Sequence, residues 1–185
     1  MGFTYFKRFR MELDLDRPLF EAPACPPGYQ LLPFDESLVR DHAAAKYLSF
    51  RSELDVTVFP CLGRRDGCLR LMREIVHRGG FVPASTWLLR YHAADSARPE
   101  PIGTVQGIRF DGWGGIQNLG VCQRHRGLGL GTLLLRKAAE GFRDVGLGGM
   151  HLEVTTDNTA AVRLYERLGF RRARVVYKAA EVAMA

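Results

Sequence analysis

The chain has 185 residues, of which 46% are hydrophobic and 25% charged, and its formal net charge is +6. That length suits one folded domain with a sizeable core, expected to span 1–185, and it lacks the low hydropathy of a disordered chain. No aromatic–basic RNA motif, zinc finger or sustained basic helix accompanies the positive charge, so nucleic acid is not an expected partner.

Other exclusions follow from the same reading. No secretory leader and no apolar run of transmembrane length is visible, so a cytoplasmic protein with no membrane partner is expected. Met1-Gly2 opens like a myristoylation signal, but its sixth position is Phe6 rather than Ser or Thr. Cys25, Cys61, Cys68 and Cys122 have neither CxxC spacing nor a histidine cluster beside them. No metal site and no disulfide framework is expected. Cys122, just beyond a strand, could be a nucleophile, but a small filler near a loop is the plainer reading.

In chain order, residues 3–15 alternate aromatic, basic and apolar side chains, a strand pattern. Residues 1–28 form an amino-terminal extension, with a Pro-rich connector over Pro18 to Gly28. Tyr29 to Phe34 reads as a short strand, and Asp35 as the N-cap of a helix through about Arg51. That helix carries Leu38, Val39, Ala43, Lys46, Tyr47 and Phe50 at helical spacing. A second helix runs from Asp66 or Gly67 to His77, stopped by Gly79-Gly80. Strands follow at Thr86 to His92, Ile102 to Phe110 and Ile116 to Val121. A long helix then ends near Gly146, and a strand runs from Met150 to Thr155. A helix over about Thr159 to Leu168 shows an i, i+3, i+4, i+7 stripe of Ala161, Leu164, Tyr165 and Leu168. Phe170 to Lys178 returns as a strand, leaving Ala179 to Ala185 short and soft.

Gln123-Arg124-His125-Arg126-Gly127-Leu128-Gly129-Leu130-Gly131-Thr132 is the most informative stretch. Its glycines let a ligand approach the backbone, and the amides opening the next helix favour an anion such as a pyrophosphate. A P-loop is excluded because Thr132 stands where its second glycine should be. A Rossmann turn is excluded because Leu134 falls at its third glycine.

What fits is Arg-x-x-Gly-x-Gly, met by Arg126, Gly129 and Gly131, followed downstream by Asn158 and by Leu164-Tyr165-Glu166 with closing Gly169-Phe170. This pair resembles the two signatures of the GNAT superfamily of N-acetyltransferases, over about residues 102–178. The resemblance implies an α/β fold: a central mixed, mostly antiparallel sheet flanked by about four helices, here with an extra amino-terminal strand. The family core usually closes on one further strand. The early strand is expected to compensate for it, within the chain or across a homodimer.

The resemblance also implies acetyl-CoA as co-substrate and direct transfer of acetyl to a primary amine in a ternary complex. Leu119, Gly120 and Val121 would pair with the pantetheine arm. Arg126, Gly127, Leu128, Gly129, Leu130, Gly131 and Thr132 would cradle the pyrophosphate. Asn158, Ala161 and Tyr165 would complete the cofactor site, Asn158 as a helix cap or a pantetheine ligand. Tyr165 would be the general acid. Where many relatives carry a carboxylate, this chain has Gln117 and Asn118, amides that can order water but cannot take a proton. Other base candidates are Glu53, Asp55, His92, His125 and Glu153, with none preferred. The clustered cations Arg124, Arg126, Arg136, Lys137, Arg171, Arg172 and Arg174 are most economically assigned to CoA's phosphates. Acceptor contacts are expected from Ser49 to Arg70 and from Phe81 to Trp87. The amides at 117 and 118 leave a second reading, a non-catalytic acyl-CoA-binding or sensing module.

Overall fold

The computed structural model describes residues 2–182. Its strands are β1 (Gly2–Asp14), β2 (Tyr29–Pro33), β3 (Phe81–Tyr91), β4 (Glu100–Phe110), β5 (Trp113–Val121), β6 (Gly149–Thr155) and β7 (Arg171–Val182). Its helices are α1 (Val39–Phe50), α2 (Asp55–Val58), α3 (Arg65–Val76), α4 (Leu130–Asp144) and α5 (Thr159–Arg167). Four of these helices are the ones that the periodicity predicts, and α2 is a single added turn. Asp35 does act as an N-cap, but of a short 3-10 turn, Glu36–Leu38, that precedes α1.

One seven-stranded sheet has the order β2-β3-β4-β5-β6-β1-β7. Every neighbouring pair is antiparallel except β5 and β6. The early strand β1 lies between β6 and β7, with Met11 opposite both Leu152 and Arg172. It therefore takes up the place of a closing strand within the chain. Strand β7 runs on to Val182 because the edge of β1 continues to Gly2, which corrects the expectation of a soft segment after Lys178. Met1 and residues 183–185 lie outside the described residues. Strand β3 also starts earlier than the pattern suggests. Pro83 cannot donate to the ladder, and pairing with β4 is interrupted between Val82 and Trp87.

Helices α4 and α5 cover one face of the sheet. Leu135, Ala139 and Phe142 of α4 and Val162 of α5 pack with Met11, Leu13, Leu152 and Val154. Burying each such leucine or methionine contributes about 1.5–3 kcal/mol. Helices α1 and α3 cover the other face through Ala43, Phe50, Cys68 and Met72.

That second face also buries polar groups. Lys46 of α1 is wholly buried; its Nζ donates to Gln106 Oε1 at 2.7 Å and to Asn118 Oδ1 at 2.6 Å. Gln106 Nε2 donates to Thr104 Oγ1, which lies 2.8 Å from His42 Nδ1. Burial pulls the Lys46 ammonium from its ordinary 10.5 down to about 7, with weak opposing help from Cys68 and Cys61. Burial, then the charges of Lys46 and Arg90, pull His42 down to about 3.

Both groups bind protons less readily when folded, so the fold gains stability with rising pH. For His42 the gain falls between about 3 and 6.5, and for Lys46 between about 7 and 10.5. The Lys46 slope approaches about 1.4 kcal/mol per pH unit. Denaturant unfolding across pH 7–10.5 should show this rise in the parent chain and its loss in Lys46→Met. Equal slopes in the two proteins would contradict a buried, weakly basic Lys46.

Candidate active site

The parallel ladder between β5 and β6 is short: Gly114 pairs with Met150 and Gly115 with His151, and pairing stops there. On the other side of β5, Val105 faces Leu119 while Gly107 faces Ile116, so Gln117 and Asn118 together oppose Gln106. This is a bulge, one extra residue that bends the strand and frees it from regular pairing. Beyond these points β5 and β6 part, and a cleft of about 800 Å³ opens between them. Peptide groups facing the cleft have no strand partner there and can pair with an extended ligand.

The glycine turn forms one end of this cleft. Gly127, with φ of +81°, and Gly129, with φ of +74°, occupy the left-handed region, where glycine has no steric cost. Gly129 stands at the N-cap of α4, where no side chain caps the helix and the first turn carries no acidic residue. The opening amides of α4 thus remain available to an anion. A Cβ at Gly129 would come within 2.5 Å of Pro23 Cγ, so the Pro-rich connector packs directly on the turn. At Gly131 a Cβ would meet nothing closer than Val121 Cγ2 at 4.0 Å.

The cleft brings together Gln117, Asn118, Leu119, Gly120, Val121, Arg126, Gly127, Gly129, Leu130, Gly131, Thr132, Asn158, Ala161 and Tyr165. Leu128, expected with them, is instead exposed beside the turn. Arg126 is committed to the protein: it donates to Val121 O at 2.9 Å and Ser49 O at 3.2 Å, and pairs with Glu53 at 2.8 Å. Its geometry is that of a clamp joining the end of β5 to the end of α1. Nor do the clustered cations all face a ligand. Arg136 donates to Phe20 O and pairs with Glu140, Lys137 also pairs with Glu140, and Arg172 pairs with Glu166. Asn158 caps α5, its Oδ1 accepting from Ala161 N at 3.2 Å.

Tyr165 reaches the cleft from α5, with its ring 5.8 Å from that of Phe170. Burial, then the charge of Asp55, pushes its phenol up to about 12, so the proton is held firmly at neutral pH. Burial also raises the Asp55 carboxyl above the usual carboxylate range, against the pull of Arg8. Glu153 and Arg8 approach at 3.7 Å, and Arg8 also donates to Glu153 O and Thr155 Oγ1. Two cations stand over the Phe59 ring, Arg8 at 5.0 Å and Lys178 at 5.7 Å from its centre.

Several expectations change here. Ser49, Phe50, Glu53, Asp55, Phe59, Cys61 and Leu62 line the cleft as the segment Ser49 to Arg70 should, and Leu71 just beyond it joins them. Phe81 to Trp87 do not: they belong to β3, where the Ser85 hydroxyl donates to Ala138 O and Trp87 lies under Lys137. His125 lines the cleft but is held by Tyr29, its Nδ1 2.9 Å from the hydroxyl, whereas His92 is exposed beside Gln30 and is not part of the lining. Cys122 is buried, and burial raises its thiol, which suits a filler and not a nucleophile. Arg8 and Lys178 were invisible as site residues, because only the insertion of β1 brings them to the cleft.

Residues 62–170 match the sequence profile described as the Acetyltransferase (GNAT) family. An uncharacterized N-acetyltransferase, YobR, of Bacillus subtilis is 39% identical over 88 residues, 48% of this chain and 34% of that protein. A mycothiol acetyltransferase of Thermobispora bispora is 32% identical over 175 residues, 89% of this chain and 53% of that one. The crystal structure of a GCN5-related N-acetyltransferase from Sphaerobacter thermophilus superposes with a TM-score of 0.67 at 24% identity, covering 96% of this chain and 52% of its own. The chain thus spans from a third to about half of these proteins' lengths. The match over most of the sheet and both signatures is decisive for kinship: this chain belongs to the GNAT acetyltransferase family.

Proposed function

We propose that this chain transfers an acetyl group from acetyl-CoA to a primary amine by direct attack within a ternary complex. What carries this reading is the meeting, in one cleft, of the parted edge of β5, the uncapped start of α4 and the Tyr165 phenol. Those groups fit the parts of acetyl-CoA in order. Free amides at Gly131 and Thr132 suit the pyrophosphate, the β5 edge from Leu119 to Val121 suits the amide-bearing pantetheine arm, and the bulge suits the thioester.

The chemistry follows from the groups present. Asp55 supplies the carboxylate that the strand lacks, and burial brings its proton affinity closer to the working pH of a base. It receives a proton from the acceptor ammonium, and the freed nitrogen lone pair forms a bond to the thioester carbon. An amide donor at the bulge steadies the oxyanion, an effect worth about 2.7–4 kcal/mol. The intermediate collapses, the carbon–sulfur bond breaks, and the departing thiolate takes the Tyr165 proton. The attacking nitrogen loses its remaining extra proton to solvent, from which the Tyr165 phenolate is reprotonated.

Tyr165→Phe should lower turnover about 10²–10⁴-fold with little change in CoA affinity, as read by thiol release and calorimetry. An unchanged rate would remove Tyr165 from the reaction. Asp55→Asn should lower kcat/KM and leave a residual rate that climbs with pH, because the amine must then lose its proton to water. A pH profile like the parent's would move the base elsewhere. Gly131→Ala is the cleanest probe of the turn, since its methyl group would come no closer to the protein than 4.0 Å, at Val121 Cγ2, while on this reading it would crowd the bound phosphate. CoA binding should weaken tenfold or more, about 1.4 kcal/mol, with the melting temperature of the free protein held. Binding equal to the parent's would place the pyrophosphate elsewhere.

A further inference from the structure

Beneath the β5 bulge lies a lysine paired with amides and not with a carboxylate. Lys46 Nζ donates to Gln106 Oε1 and Asn118 Oδ1, the residues that face each other across the bulge. An ammonium or amine hydrogen can be received only by the oxygen end of an amide, so these contacts fix which way Asn118 points. Gln106 is held from behind as well, through Thr104 and His42. With its Oδ1 turned inward to Lys46, Asn118 offers Nδ2 to the cleft it lines together with Ser49, Phe50 and Asp55.

We infer that Lys46 is a positioning residue that makes Asn118 a hydrogen-bond donor to the acceptor bound in the cleft, selecting amines that carry a carbonyl or hydroxyl oxygen beside the nitrogen. This rests on the acetyl-transfer reading of the same cleft. Its physical basis is the cost of an unmade bond. A bound alkylamine leaves the Nδ2 hydrogens without a partner once water is displaced, whereas an oxygen next to the amine accepts from them. A carboxylate at 118 would behave in the opposite way, pairing with Lys46 and offering no hydrogen to the substrate.

The test is acetyl-CoA turnover, followed by thiol release, on a matched pair of amines: glycinamide and propylamine. The ratio of their kcat/KM values is compared between the parent, Lys46→Met and Asn118→Leu, which cancels the amines' own difference in basicity. The parent should favour glycinamide, and each variant should cut that ratio about tenfold. Asn118→Leu keeps the test sound if Lys46→Met fails to fold. A merely structural role would slow both amines alike, and an unchanged ratio overturns the inference. NMR of the CoA-saturated protein decides without turnover. Glycinamide should move the Asn118 side-chain amide resonance and propylamine should not; no difference between them also overturns it. If neither amine is acetylated while the resonance still responds to glycinamide, the donor stands and acetyl transfer to amines of this size is what fails.

Discussion

Everything at the site depends on two strands that stop pairing. Parallel β5 and β6 share a ladder for only two residue pairs, and the extra residue of the bulge turns β5 away. An open strand edge inside a protein is costly unless something satisfies its amides. Here the gap ends at a glycine turn whose helix also begins uncapped. Both features leave backbone donors unspent along one line, and a long ligand with amides and a pyrophosphate satisfies both at once.

Such a gap would weaken the sheet were it not braced on each side. Arg126 ties the end of β5 to the end of α1, and the wholly buried Phe142 of α4 sits where Gly107 and Gly114 leave room for its ring. Beyond β6, strand β1 zips the remaining sheet together, pairing with β6 over Arg8–Asp14 and with β7 over Gly2–Glu12. Its pleat sends Phe9, Met11 and Leu13 into the core under α5, while Arg8 faces the cleft. One strand thereby closes the sheet and adds a charge to the site.

Local signals carried much of this. The stripe on α5 placed Tyr165, the glycine spacing placed the turn, and alternation in residues 3–15 showed a strand. Partnering was another matter, since alternation says that a strand exists and not which strands flank it. Arg8 and Lys178 therefore gave no sign of a site role. Lys46 was read only as one member of a helical stripe. Its meaning comes from Gln106 and Asn118, which lie sixty and more positions away along the chain. For Arg126 the motif fixes its place at the cleft, while only its partners Val121, Ser49 and Glu53 show that its guanidinium also clamps β5 to α1.

The central claim is that the parted edge of β5 and the start of α4 together receive CoA. Amide hydrogen exchange, measured on the protein with and without saturating CoA, tests it directly. Slowed exchange should be concentrated in residues 117–121 and 129–132, with β2, β3 and the turn joining β4 to β5 unchanged. Tight CoA binding that leaves both of those segments exchanging as in the free protein would contradict it.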